Sequence, residues 1–126
     1  MVNIPEELKY ADSHEWVALD DDIATIGISD HAQAELTDIV FVEVPELGAT
    51  FQAGDQIAVV ESVKAAGDIY APVSGTVVEV NGDLESDPGL INTEPYEAGW
   101  IYKVRISDAA ELENLMNAEA YQGHVG

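Results

Sequence analysis

The chain contains no cysteine and few basic residues, and both shortages restrict what it can do. Without cysteine the 126 residues form no disulfide bond and offer no thiol nucleophile, so any sulfur or redox chemistry needs a cofactor. Twenty-five acidic side chains outnumber four cations and leave a net charge of −21. The cations are Lys9, Lys64, Lys103 and Arg105. This balance argues against binding to nucleic acid and to anionic membrane surfaces.

Long hydrophobic runs are also lacking. Residues 57–60 form one of the longest apolar stretches, which is far too short to span a bilayer. Residues 1–7 have neither a basic start nor an apolar stretch, so they do not read as a signal peptide. We therefore expect a soluble cytoplasmic protein, or a protein of the mitochondrial matrix only if a transit peptide has been removed. The acidity favours a soluble monomer, and adaptation to a salty cytoplasm is an alternative explanation for it.

The pattern of apolar residues predicts a mainly β fold in one domain over residues 1–126, because short apolar segments alternate with Gly, Pro and Asp. Residues 15–19 and 23–28 read as two strands, joined by a turn at the aspartates 20–22. Ser29 is expected to cap a short helix that runs through Leu36. Residues 40–44 alternate as a half-buried strand does.

The C-terminal third predicts one more strand and a helix. The strand's core face would carry Trp100, Tyr102, Val104 and Ile106, with Lys103 and Arg105 in solvent. Asp108 and Glu111 resemble a capping box that opens a helix, whose apolar side chains would be Leu112, Leu115 and Met116. Pro88, Gly89 and Pro95 predict a long loop before the strand.

Lys64 lies in the connection between two β-prone segments, residues 56–61 and 69–72, which predicts a hairpin tip. The residues after it, 65–67, are small and leave its amine accessible. An ordinary surface lysine is the alternative interpretation. The scarcity of lysine and the apolar Val63 beside it favour an attachment role, for which a flexible stem ending in an amine is well suited.

Residues 61–75 resemble the lipoylation hairpin of glycine cleavage H proteins. The resemblance extends to residues 9–10, 14–17, 27–33, 38–43 and 92–100, so it covers nearly the whole chain. Generic lipoyl domains of 2-oxo acid dehydrogenases lack these outer blocks. Biotin carriers place methionines on both sides of the lysine, where this chain has Val63 and Ala65.

The resemblance implies a barrel-sandwich hybrid, lipoyl-domain-like, with an N-terminal hairpin, a short helix after it and a C-terminal helix. Lipoate would be joined to Lys64 through an amide by a lipoate ligase or a lipoyl/octanoyl transferase that reads Glu61, Val63 and Gly67. The non-catalytic carrier would shuttle an aminomethyl group from glycine decarboxylase (P protein) to aminomethyltransferase (T protein). Dihydrolipoamide dehydrogenase (L protein) would then reoxidise its dithiol.

The resemblance also implies a surface cleft into which the loaded arm folds. The matching positions are Ser13, Glu15, Ile28, Ala32, Leu36 and Asp68. Glu15 or Asp68 would pair with the cationic amine, and plain solvation of these carboxylates is the alternative. The family usually has glycine where Thr37 stands; if that glycine adopts a positive φ, threonine there would be strained or would force another turn. It favours serine or threonine where Gly67 stands, which would loosen the tip or alter how the ligase reads it.

The residues also allow other functional interpretations. Ser13, His14 and Glu15 include the residue types of a hydrolase, but adjacent residues of a strand point to opposite faces and do not form a triad. His31 and His124 are far apart in sequence, the latter in an expected frayed tail, so we predict no metal site and no catalytic residue. A lipoyl-relay protein that donates lipoate to other complexes would have nearly the same sequence. An unmodified structural module would leave Lys64 unexplained.

Overall fold

A computed structural model describes residues 3–125, so Met1 and Val2 of the N-terminal segment considered above lie outside the described residues. Within residues 3–125 the strands are β1 (Lys9–Tyr10), β2 (Glu15–Asp20), β3 (Ile23–Ile28), β4 (Ile39–Glu43), β5 (Thr50–Phe51), β6 (Gln56–Ser62), β7 (Ala66–Tyr70), β8 (Gly75–Val80) and β9 (Tyr102–Ile106). The helices are α1 (Asp30–Leu36), α2 (Asp83–Ser86), α3 (Leu90–Thr93) and α4 (Ala118–Val125), with a 3-10 helix at Ala109–Asn114.

The strands form two antiparallel sheets. One has the order β1-β2-β3-β9-β8-β5 and the other β4-β6-β7. Alternate side chains of both sheets point inward and share one core, as in a sandwich. Val17 and Ile26 come from the larger sheet, and Val60 and Ile69 from the smaller one. The predicted mainly β fold, with its N-terminal hairpin and short helix, is confirmed.

The N-terminal hairpin agrees with its prediction almost to the residue. Strands β2 and β3 pair from Glu15–Ile28 to Asp20–Ile23, which leaves Asp21 and Asp22 as the turn. Asp21 adopts φ 58, a conformation that aspartate tolerates better than most residues. Asp22 faces the Arg105 side chain on β9 at 3.5 Å.

Strand β4 departs from the simple alternation predicted for it. Ile39 and Val42 are buried, whereas Val40 and Phe41 are both about half exposed. The pairing of β4 with β6 shifts register between Ile39 and Phe41. Such a bulge places two consecutive side chains on the outside, which the period-2 pattern does not anticipate.

The C-terminal helix predicted to open at Asp108 is a second prediction that is wrong in its position. Asp108 accepts a hydrogen bond from the Ala110 amide (3.0 Å), but it caps the 3-10 helix. Glu111 reaches across to the Ser74 amide (2.7 Å) instead of closing a capping box. The α-helix begins only at Ala118, after Asn117, whose side chain accepts from the Ala120 amide (2.8 Å).

The other C-terminal predictions hold in part. Tyr102 and Val104 are fully buried, whereas Ile106 and Trp100 are half-buried and Trp100 precedes the strand. The loop predicted around Pro88 contains the single-turn helices α2 and α3. Among residues 3–125 no helix is both long and apolar enough to cross a membrane.

Helix α4 packs onto the larger sheet through Tyr121. Its ring stacks on that of Tyr10, with centroids 4.5 Å apart and planes 6° from parallel. Together with Leu8, Trp16 and Ala118 these rings form a second apolar cluster. The cluster holds the C-terminal helix beside the turn that precedes β2, and this position is important for the candidate site.

Candidate functional site

Lys64 lies at the tip of the β6–β7 hairpin, as predicted from the sequence. The turn is held by Ser62, whose Oγ accepts hydrogen bonds from the amides of Lys64 (3.1 Å) and Ala65 (3.0 Å). The Ser62 hydroxyl also donates to the Ala65 carbonyl (2.9 Å). The Lys64 side chain is exposed, and its Nζ donates to the carbonyl of Glu35 in the last turn of α1 (3.2 Å).

A cleft of about 190 Å³ lies between α1 and the β6–β7 hairpin. Its lining is Ser13, His14, Glu15, Ile28, His31, Ala32, Glu35, Leu36, Val60, Gly67, Asp68 and Ile69. All the residues predicted for an arm-docking cleft are in this set, together with Gly67. Glu61 and Val63 lie outside it, exposed near the tip. Because Nζ of Lys64 contacts the carbonyl of Glu35, a lining residue, the lysine stands at the rim of the cleft.

Glu15 is the buried polar group of the cleft, with 1% of its surface exposed. The Ser13 hydroxyl donates to one of its carboxyl oxygens, and the Tyr70 amide donates to the other (3.1 Å). Burial raises the pKa of Glu15 to about 7, against the lowering effect of these hydrogen bonds. Plain solvation, the alternative considered for Glu15, is therefore wrong. A cation entering the cleft would meet a carboxyl group that ionises readily in response.

Asp68 differs from Glu15 although both line the cleft. Its side chain is exposed at the edge, and Oδ1 accepts a hydrogen bond from Gln56 Nε2 at 3.0 Å. For Asp68 the solvated alternative is the one that the structure supports.

Helix α1 supplies one apolar wall of the cleft. Ser29 caps it as predicted, with Oγ accepting a hydrogen bond from the Ala32 amide (3.2 Å). Ala32 and Leu36 are four positions apart, so they lie on the same face of the helix, and both line the cleft. The helix ends at Leu36, and the next residue, Thr37, has φ 64 and ψ −148. This region favours glycine, so the strain predicted for threonine here is confirmed.

The opposite wall comes from the small sheet and includes Gly67. A Cβ added there would meet Leu36 and Val60 at 3.5 Å, an ordinary contact distance. Gly67 is thus not required by the backbone. Its lack of a side chain leaves the space between these two apolar residues open.

All three histidines of the chain meet beside this cleft, which the sequence analysis missed. The ring of His14 lies 4.9 Å from that of His31 and 5.7 Å from that of His124, centroid to centroid. His124 belongs to α4 and is not in a frayed tail. Burial, together with His31 and His124, lowers the pKa of His14. Among residues 3–125 no group of three or more His, Asp or Glu side chains is arranged to hold a metal ion.

Tyr121 links this cluster to α1. Its hydroxyl lies 2.6 Å from Ser29 Oγ and 2.8 Å from His14 Nδ1. No signal in the sequence pointed to Tyr121, since its partners are about 100 positions away. His31 and Glu35, by contrast, are four positions apart in α1 and lie on one face of it, so the period of the helix could have identified them.

Ser13, His14 and Glu15 do not lie on one strand, contrary to the prediction. Ser13 and His14 lie in a turn before β2, with His14 at φ 80, so strand alternation does not apply to them. All three residues, Ser13, His14 and Glu15, line the same cleft. However, Ser13 donates to Glu15, and His14 Nδ1 contacts Tyr121. The hydroxyl is therefore not paired with an imidazole base, as a triad requires.

Comparison with known proteins identifies the family. A family model described as "Glycine cleavage H-protein" matches residues 8–125. Glycine cleavage system H proteins of Alcanivorax borkumensis and Escherichia coli are 54% and 57% identical over 99% and 97% of this chain, and over 98% and 95% of their own lengths. A glycine cleavage system H protein of Mycobacterium marinum, known from its crystal structure, is 40% identical with a TM-score of 0.87, covering 95% of this chain and 97% of its own. The chain therefore belongs to the glycine cleavage H-protein family.

Proposed function

We propose that this chain is the lipoate-bearing shuttle of a glycine cleavage system, with lipoate in amide linkage to Lys64. The observation that carries the proposal is the position of Lys64. Its exposed amine stands on a locally held hairpin tip at the rim of a narrow cleft. An arm attached there is able to extend into solvent or fold into the protein.

The residues present fit a lipoyl group. Lys64 offers an accessible primary amine, and the cleft is smaller than the pockets that hold drug-sized ligands, which suits a short, thin chain. When bound, lipoate supplies a disulfide that accepts an aminomethyl group and two electrons, chemistry that a chain without cysteine lacks. Ile28, Ala32 and Leu36 would exclude water from the folded arm, and Gly67 would leave room for it.

Glu15 would act as the counter-charge for a cationic amine. Its burial raises the pKa of the carboxyl to about 7, so an approaching cation would favour ionisation and a charge-assisted hydrogen bond. Ser13 orients the carboxyl from one side and the Tyr70 amide from the other. Asp68, exposed at the edge, would add only a screened attraction.

The partners follow from this role. The carrier would be non-catalytic and would present its arm in turn to glycine decarboxylase, aminomethyltransferase and dihydrolipoamide dehydrogenase. A lipoate ligase or a lipoyl/octanoyl transferase would load Lys64, reading Glu61, Val63 and Gly67. The net charge of −21 supports a monomer, because copies repel one another and partners with basic rims are attracted.

Mass spectrometry of the chain, co-expressed with a lipoate ligase and supplied with lipoate, tests the attachment. We expect one lipoyl increment, on the peptide that contains Lys64, and none after Lys64→Arg. Lys9→Arg and Lys103→Arg are matched controls that should be modified like the native chain. Equal labelling of all three lysines, or none, would contradict the proposal.

Glycine-dependent turnover separates the shuttle from a lipoyl relay. The loaded chain should support exchange of the glycine carboxyl group with labelled bicarbonate by a purified P protein. A loaded chain that P and T proteins ignore, but that donates lipoate to other apo-acceptors, would instead establish the relay function.

A further inference from the structure

Three apolar side chains are exposed beside Lys64. They are Val40, Phe41 and Val63, with 54%, 51% and 69% of their surface accessible, and we call them the tip patch. The Val63 amide donates to the Asp38 carbonyl (3.0 Å), which ties the tip to the start of β4. Phe41 pairs in register with Glu61, three residues before Lys64. The patch therefore borders the lysine on the β4 side, outside the cleft.

The exposure of this patch follows from the β4 bulge. Ile39 and Val42 contribute to the core on either side of it, while the register shift turns both intervening residues outward. Single exposed apolar residues are common on protein surfaces. Phe41 and two valines are instead exposed together near the accessible amine of Lys64, and exposed apolar patches mark interaction sites.

The charges around the patch indicate what kind of partner fits it. Asp38, Glu43 and Glu61 are exposed around the patch, and Glu35 is exposed at the end of α1, where its carbonyl contacts Lys64 Nζ. A complementary surface has an apolar centre and a basic rim.

We propose that the tip patch is the docking surface for the enzyme that acylates Lys64; this inference rests on the proposed function. In the transfer the deprotonated Nζ attacks the carbonyl carbon of an activated acyl donor, an acyl adenylate or thioester. The C–N bond forms, and the bond to the leaving group breaks, so that AMP or the thiolate departs with the electron pair. The nitrogen then loses one proton to a base and becomes the amide nitrogen. The reacting atoms must approach to about 3–3.5 Å. The acylating enzyme therefore has to cover the tip itself, whereas enzymes that act on the far end of the arm do not.

The test compares the double variant Val40→Thr/Phe41→Thr with Leu19→Thr. Threonine is β-branched, a shape that strands favour, and Leu19 is a strand residue of the larger sheet with a similar exposure of 47%. Initial rates of lipoylation of the full apo-chain are measured with a purified lipoate ligase, lipoate and ATP at subsaturating carrier. We expect kcat/KM to fall about tenfold or more for the double variant, as for loss of an interface hot spot, and less than twofold for Leu19→Thr.

Three further measurements separate docking from folding, from the intrinsic reactivity of Lys64 and from later steps of the shuttle. Thermal unfolding should show that the double variant remains folded, and a small activated ester should acylate its Lys64 at the native rate. After loading to completion with excess ligase, the variant should support glycine decarboxylase exchange within twofold of native. Equal ligase rates for variant and native, an equal loss for Leu19→Thr, or a loss confined to the decarboxylase would each overturn the docking role. Failure of the native chain to be lipoylated at Lys64 would overturn the proposed function as well.

The acidic rim provides an independent variant. Glu43→Lys places a positive charge beside the patch without changing any apolar contact, and Glu119→Lys makes the same change on α4. We expect Glu43→Lys to slow lipoylation several-fold and Glu119→Lys to leave it within twofold, with native rates falling as salt rises. Identical rates for the two lysine variants would contradict the basic rim proposed for the partner.

Discussion

Two regions beside Lys64 are built in opposite ways: the base of the cleft, around Glu15 and Tyr121, and the tip of the β6–β7 hairpin. At the base, hydrogen bonds join residues that are far apart in sequence: Glu15 to Tyr70, Ser29 to Tyr121 and His14 to Tyr121, with separations of 55, 92 and 107 positions. At the tip, Ser62 organises the turn through bonds to residues two and three positions away.

This difference separates two physical requirements. A site that receives a charged group benefits from side chains held in advance by the surrounding structure, since little entropy is then lost on binding. A tip whose lysine must be reached by an acylating enzyme needs accessibility, and its turn is shaped mainly by local bonds, with one longer-range bond from the Val63 amide to the Asp38 carbonyl. Changes at the base should therefore alter stability, whereas changes at the tip should alter recognition.

The largest effect is expected from Glu15→Gln, as a change in how stability depends on pH. The folded-state pKa of about 7 lies above the ordinary 4.5, so the fold favours the protonated carboxyl. Its stabilising contribution is complete below pH 4.5 and is lost as pH rises through 7. A shift of this size corresponds to about 3 kcal/mol. The free energy of unfolding of the variant, relative to native, should thus rise by that amount between pH 4.5 and 8 in urea titrations.

Asp68→Asn is the matched control, because it removes an exposed carboxylate from the same cleft. Any pH dependence that Glu15→Gln shows beyond that of Asp68→Asn is then due to burial of the carboxyl and not to loss of a negative charge. A Glu15→Gln difference that does not change with pH would mean that the base does not hold its carboxyl in the neutral form.

The next largest effect is expected from Tyr121→Phe. The substitution removes the hydroxyl that lies between Ser29 Oγ and His14 Nδ1 but keeps the ring stacked on Tyr10. Loss of partners for two buried or partly buried groups should lower the free energy of unfolding by about 1–3 kcal/mol. Tyr70→Phe, at an exposed tyrosine, should change it by less than about 0.5 kcal/mol. If the two variants unfold at the same denaturant concentration, the long-range network at the base is energetically unimportant.

The same contrast explains what could be predicted from the sequence. The hairpin, the Ser29 cap and the position of Lys64 depend on local patterns and were predicted correctly. The β4 bulge was missed because Val40, Val42 and Val44 fall at every second position, and only pairing with β6 reveals the shift. Glu111 was misassigned because its partner, Ser74, is 37 positions away. Asn117 is the kind of residue that caps helices, so the true start of α4 did leave a local signal.

The histidine cluster could not be predicted, for a physical reason. It depends on α4 packing against the larger sheet through Tyr10 and Tyr121, which are 111 positions apart in the chain. No periodicity within one segment encodes such a contact. The cleft residues were predicted from resemblance to a family, and the structure places them around one cavity without testing their roles.

A smaller effect is expected from Thr37→Gly, at the end of α1 between base and tip. Thr37 occupies a backbone region that is nearly exclusive to glycine, at a cost of about 1–3 kcal/mol. Glycine relieves this strain but adds about 0.5–1 kcal/mol of chain entropy in the unfolded state. The net expectation is stabilisation by about 1 kcal/mol, measured as a higher urea midpoint with an unchanged slope. Thr50→Gly, at a strand position without positive φ, should instead be destabilising. A destabilised Thr37→Gly would show that the threonine side chain contributes more than its conformation costs.

The smallest effect on stability is expected from Ser62→Ala, which removes the side chain that organises the tip. The amides of Lys64 and Ala65 lose their hydrogen bonds to Ser62 Oγ, but both residues are exposed and water can replace it. The free energy of unfolding should therefore change by less than about 1 kcal/mol. Lipoylation by a purified ligase should nevertheless slow several-fold, because Lys64 is no longer held in one orientation. Ser107→Ala, at an exposed serine after β9, should leave both quantities unchanged. If Ser62→Ala destabilises the protein as much as Tyr121→Phe does, the tip is coupled to the core, and the distinction between a fixed base and a locally shaped tip fails.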